Sequence, residues 1–142
     1  MAGNIEEYRK RLYTREKVED MIAFAKPFLV QFPRIERVFA TTIEVEMLRL
    51  LRLCVTAECG YSYKTTLQKM DASQKTIQRY IRLARTKQIL SVKHYGSWSE
   101  KMKEIGKMVG GLIDAVNPPA QHRGKAIAAS TAAAIGTTPP TA

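Results

Sequence analysis

Apolar side chains recur along this chain at steps of three and four residues, in four blocks separated by short gaps. That step is the signature of helices that bury one side. In the block over 14–31 the stripe is Val18, Met21, Ile22, Ala25, Phe28 and Leu29, running on to Phe32. Thr14 is the expected cap, with Glu16 favouring the positive end of the dipole. Pro27 predicts a kink, and Phe32-Pro33-Arg34 predicts the end, because the residue before proline is pushed out of the helical region. The block over 36–59 carries Val38, Ile43, Met47, Leu50, Leu51, Cys54 and Val55, broadened by Leu48 and Leu53. So wide an apolar arc predicts contact on a second side, within the bundle or with another copy. Gly60 is placed to be a left-handed cap.

The third block, over 62–88, puts Tyr63, Thr66, Met70, Ile77, Ile81 and Ala84 on one face, with Asp71-Ala72-Ser73 as a candidate break. The fourth, over 91–116, starts at a candidate cap, Ser91, and strings Tyr95, Trp98, Met102, Ile105, Val109, Leu112, Ile113 and Val116 into a stripe. Gly106, Gly110 and Gly111 interrupt it, each at a cost of about 1 kcal/mol against alanine. Gly106 and Gly110 share a side, so a neighbouring backbone is expected close by, from this chain in the first instance or from another protomer. GKMVGG is not a phosphate loop: no strand precedes it and its lysine is misplaced. No segment alternates like a strand and none repeats. The fold class is therefore all-α, an up-and-down four-helix bundle over 13–116. A flexible lead-in over 1–12, frayed or forming a short helix, precedes it. A Pro/Ala/Thr-rich tail over 117–142, expected to be disordered, follows.

Composition changes this picture through charge. The chain has 142 residues, one domain's worth, with 23 Lys and Arg against 13 Asp and Glu, a net charge of +10. Residues 1–60 hold 10 basic and 9 acidic side chains; residues 61–142 hold 13 and 4. Eight cations, Lys64, Lys69, Lys75, Arg79, Arg82, Arg85, Lys87 and Lys93, lie within 61–93, opposed only by Asp71. Such a segment suggests a polyanion partner. Any surface helix has a charged face, but that does not account for a single sign without acidic partners one turn away. On a helical wheel Lys64, Lys75, Arg79 and Arg82 project opposite the apolar face. No apolar run approaches the length of a membrane span and no signal-peptide core opens the chain, so a cytoplasmic protein is expected.

Chemistry for catalysis is sparse. The aspartates, Asp20, Asp71 and Asp114, are far apart, which argues against a two-metal site. Neither His94 nor His122 has an evident nucleophile to serve. Cys54 and Cys59 have no metal-site spacing and read as reduced thiols. Glu44 and Glu58, near the apolar arc, are candidate structural partners for an arginine. No enzyme, cofactor or metal is expected.

Two nucleic-acid readings follow. TLQKMDASQKTIQRYIRLA looks like a helix-turn-helix, anchored by Leu67 and Met70, turning at Asp71-Ala72-Ser73 and reading DNA from Thr76 to Ile81. That motif leaves the other long helices unexplained. A longer series of segments covers 13–116: AFAKPFLVQFPR, with Pro27 ahead of Phe32, Pro33 and Arg34; then IEVEMLRLLRLCVTA; then RLARTKQILSVKHY; then EIGKMVGGL. In this order and spacing they resemble the accessory variability determinant (Avd) proteins of diversity-generating retroelements. Bundle proteins encoded in ribosomal-RNA intervening sequences share that fold.

The resemblance implies a four-helix bundle that assembles as a homopentamer. It also implies binding to nucleic acid and to the retroelement's reverse transcriptase, in support of mutagenic cDNA synthesis from template-repeat RNA. The chain departs from the family at Arg49 and Arg52, where acidic residues are frequent. On this reading Lys64, Lys75, Arg79 and Arg82 contact phosphates, supported by Lys69, Arg85, Lys87 and Lys93. The partners would be the reverse transcriptase, template RNA or DNA, and further copies of the chain, with no membrane. The alternatives are a helix-turn-helix regulator and a protein-interaction scaffold.

Overall fold

The computed structural model describes residues 2–117. It contains four α-helices: α1 (Ala2–Val30), α2 (Arg37–Cys59), α3 (Tyr63–Thr86) and α4 (Val92–Val116), with a 3₁₀ turn (Arg34–Glu36) ahead of α2. Each helix packs on its neighbour in the chain, and α4 closes the ring against α1. Short connections force the antiparallel order, so the up-and-down four-helix bundle is the observed architecture.

The core is built from the expected stripes. Val18, Met21, Ala25 and Leu29 meet Ile43, Met47, Leu50 and Cys54, while Leu67, Met70, Ile77 and Ile81 meet Trp98, Met102, Ile105 and Val109, all buried. Trp98 is fully enclosed, and its indole N–H satisfies itself on the Met21 sulfur at 3.4 Å. Burial pushes the Cys54 thiol up to about 12, leaving it an inert apolar group, whereas Cys59 is exposed.

Several local expectations are corrected. α1 begins at Ala2 rather than near Thr14, so the segment read as a lead-in supplies about three further helical turns. Arg11 ties this stretch down: it donates to the Ala57 carbonyl at 3.2 Å and lies over the Tyr63 ring at 4.5 Å. Thr14 is thus no cap. It is buried inside the helix, its hydroxyl donating to the Lys10 carbonyl at 2.7 Å. The helix runs through Pro27 to Val30 and stops ahead of Pro33. Gly60 takes the left-handed cap (φ 81°), and Ser91 caps α4 by accepting from the His94 N–H at 3.1 Å.

Val38, placed in the apolar arc of α2 by its spacing, is instead 79% exposed. On the helix it sits with the exposed Val45, Leu48 and Val55, opposite the buried Ile43, Met47 and Leu50. Glu58 does meet an arginine, Arg15, but Glu44 pairs with Lys26 at 2.7 Å. The candidate break in α3 is absent, because α3 is continuous from Tyr63 to Thr86. Ala72 favours helix, Asp71 accepts from Lys75 one turn on at 2.8 Å, and Ser73 is buried with its hydroxyl donating to Glu46 of α2 at 2.7 Å. The helix-turn-helix reading is left without its turn. The tail, from residue 118 on, lies outside the described residues.

Candidate nucleic-acid interface

α3 divides along its length. Leu67, Met70, Ile77, Ile81 and Ala84 are buried, and with them the polar Thr66, Ser73 and Gln74. The opposite edge carries Lys64, Lys75, Arg79 and Arg82, all exposed. From Lys64 to Arg82 this ridge runs about 27 Å at 1.5 Å per residue. Among the described residues Lys64, Lys69, Arg79, Arg82 and Arg85 form no ion pair; Lys75 is held by Asp71.

The bundle sorts the eight predicted cations into different places. Lys75, Arg79 and Arg82 line one side of a groove between α3 and α4, of about 410 Å³, whose other wall holds Tyr95, Ser99 and Lys103. Lys69 turns the other way, into a groove of about 610 Å³ between α2 and α3, where it meets Arg49 and Arg52. Lys64 stands alone near the start of the ridge, and Arg85 is half-buried. Lys87 is occupied: it bridges to Glu36 at 3.1 Å and lies over the Phe39 ring at 5.6 Å, tying the end of α3 to the start of α2. Lys93 is exposed on the first turn of α4.

Four contributors lay outside the predicted set. Lys103, which pairs with Glu100 one turn back at 3.6 Å, joins the α3/α4 groove, with Lys107 one turn further on beside Lys75 and Gln78. Arg49 and Arg52 stand out in the sequence as departures from the Avd pattern, and their place opposite Lys69 depends on how α2 pairs with α3. The signal for Lys103 and Lys107 was their four-residue spacing, but only the pairing of α3 with α4 says which cations they join.

Gly106 has a reason within the chain. A Cβ there would come within 2.9 Å of the Gln74 amide, which donates to the Met102 carbonyl at 3.0 Å. The missing side chain lets a buried glutamine of α3 reach the α4 backbone, so the neighbour at this glycine is a side chain of the same chain. Among the described residues, a Cβ at Gly110 or Gly111 would meet no neighbouring element within 4 Å.

Chemically, this surface offers cations in open grooves. No group of three His, Cys, Asp or Glu among the described residues could hold a metal ion. No described helix is long and apolar enough to cross a membrane. Residues 12–116, about three-quarters of the chain, match the family model described as bAvd-like. No curated protein matches, and no solved structure does.

Proposed function

The chain belongs to the bAvd-like family, the Avd-like proteins of diversity-generating retroelements, and from that premise we propose that it is a non-catalytic accessory subunit that binds nucleic acid along α3. The observation that carries this reading is the ridge of Lys64, Arg79 and Arg82, exposed and without ion pairs among the described residues, flanked by two further groups of cations. Phosphate contact through such side chains is tolerant of sequence and sensitive to salt.

The partners in this reading are template-repeat RNA or its DNA copy and the reverse transcriptase of the same retroelement, in support of mutagenic cDNA synthesis. A homopentamer, as the resemblance implies, would repeat the ridge five times and sum its field. The exposed Val45, Leu48 and Val55 of α2, with Ile35 and Val38 just ahead of them, supply an apolar strip for contact between copies.

The test is co-purification of the full chain with the reverse transcriptase and its RNA, together with light scattering on the chain alone. Recovery of a salt-sensitive ternary complex and an oligomeric mass supports the proposal. A stable monomer that captures neither partner at low salt overturns it.

A further inference from the structure

The two grooves beside α3 differ in chemistry. The α2/α3 groove joins Arg49, Arg52 and Lys69 to a carboxylate, Glu46, and contains no aromatic side chain. The α3/α4 groove adds a ring, Tyr95, together with the Gln78 amide and the Ser99 hydroxyl. Among the described residues every other buried or half-buried aromatic side chain has a ring or cation partner. Phe24, Phe28 and Trp98 form one ring cluster, Phe32, Phe39 and Tyr80 another, and Tyr63 lies under Arg11. Tyr95, half-buried against the core, has no ring or cation partner, although four cations border the same groove. Neither the Gln78 nor the Ser99 side chain has a hydrogen-bond partner among the described residues.

We propose that the α3/α4 groove is a site for an unpaired nucleobase: the base stacks on Tyr95 while Arg79, Arg82 and Lys103 hold the flanking phosphates. The inference rests on the nucleic-acid reading above and gives it a strand preference. Stacking on an aromatic ring with phosphates held at its sides is how single strands are bound without sequence reading, because every base has a π face. The groove's volume, about 410 Å³, lies in the range of small-ligand pockets and is large enough for a single nucleotide. A paired base reaches such a site only by leaving its stack, at a cost that single strands avoid. The amide and hydroxyl then meet base edges that pairing would otherwise occupy. The α2/α3 groove, lacking a ring, contacts phosphates and does not distinguish strandedness.

The test is fluorescence anisotropy on the full chain at about 0.15 M salt. The probes are a labelled 12-nucleotide single strand, the same sequence as a duplex, and a single strand with abasic sites at its centre, each made as RNA and as DNA. The single strand should bind more tightly than the duplex. Tyr95→Leu, which keeps the half-buried volume, should weaken the single strand roughly 5- to 150-fold and change duplex affinity less than about 2-fold. Tyr95→Phe should retain single-strand binding.

The abasic strand needs no variant, so it decides the matter even if Tyr95→Leu fails to fold. It should bind the unaltered chain at least about 5-fold more weakly than the intact strand. Base dependence with only one sugar assigns the site to that nucleic acid. Equal affinity for intact and abasic strands, or unchanged single-strand binding by a folded Tyr95→Leu variant, overturns the stacking site and leaves phosphate binding standing. No binding to any probe overturns the nucleic-acid reading itself.

Discussion

α1 and α3 carry the same number of cations and use them in opposite ways. Each helix has six Lys and Arg, but α1 sets five carboxylates among them and α3 only Asp71. In α1, Arg11 meets Glu7, Arg15 meets Glu19 and Glu58, Lys17 meets Glu104 and Lys26 meets Glu44. Those pairs lie within the helix or bridge it to α2 and α4. In α3 only Lys75 has an ion pair among the described residues. The cross-helix pairs Arg15–Glu58, Lys17–Glu104 and Lys26–Glu44 neutralise charge within the bundle, whereas the exposed cations Lys64, Arg79 and Arg82 of α3 leave theirs facing outward. The difference is why net charge by helix, and not basic residue count, picks out the candidate face.

The strongest way to break the contrast is to reverse the sign of the α3 ridge. Arg79→Glu with Arg82→Glu should lower affinity for RNA and DNA by on the order of 100-fold or more at 50 mM salt, and flatten the slope of log K against log salt by about 2. Anisotropy titrations across a salt series check both, with the helical circular-dichroism signal expected to be unchanged.

Next in size is the pairing that builds the α3/α4 groove. Gly106→Val drives a branched side chain into Gln74 and should cost about 1–3 kcal/mol, read from urea unfolding. Gly110→Ala, where the protomer leaves open space, should instead stabilise an isolated protomer by up to about 1 kcal/mol. If copies pack there, the same variant lowers the assembled mass in light scattering.

A smaller change sharpens the contrast from the other side. Asp71→Asn frees Lys75 from its one partner and should raise nucleic-acid affinity by roughly 2- to 5-fold at low salt, fading at high salt as the screening length shrinks. Smallest of all, Lys26→Ala removes an α1 cation bound to Glu44 at the surface. It should change stability by no more than about 1 kcal/mol and leave nucleic-acid affinity within about 2-fold. A large loss of binding there would erase the distinction between the two helices.

Much of the fold was legible because burial follows period. Met21, Met47, Ile77 and Met102, one from each stripe, are fully enclosed, and Gly60 and Ser91 act at the helix ends where their chemistry placed them. Two of the misreadings share a cause. Thr14 and Asp71-Ala72-Ser73 carry local end signals, but tertiary partners outweigh them. Arg11 anchors the turns before Thr14 on α2 and α3, and Ser73 is bonded to Glu46, so both helices continue. Val38 is apolar but lies on the side of Val45, Leu48 and Val55, roughly opposite Ile43, Met47, Leu50 and Cys54, so its angle around α2 already pointed to solvent.

The candidate site divides the same way. The sequence alone determined that α3 is amphipathic and that Lys64, Lys75, Arg79 and Arg82 share its outward edge, because 3.6 residues per turn leave no other arrangement. Only the tertiary structure decided which cations stand together. It took Lys87 out by giving it Glu36, sent Lys69 to Arg49 and Arg52, and brought Lys103 and Tyr95 to Arg79 and Arg82. Helical geometry is local and can be read from spacing. Grooves lie between helices, so their contents depend on register and packing distance, which depend on the fit of side chains from two distant stretches of chain.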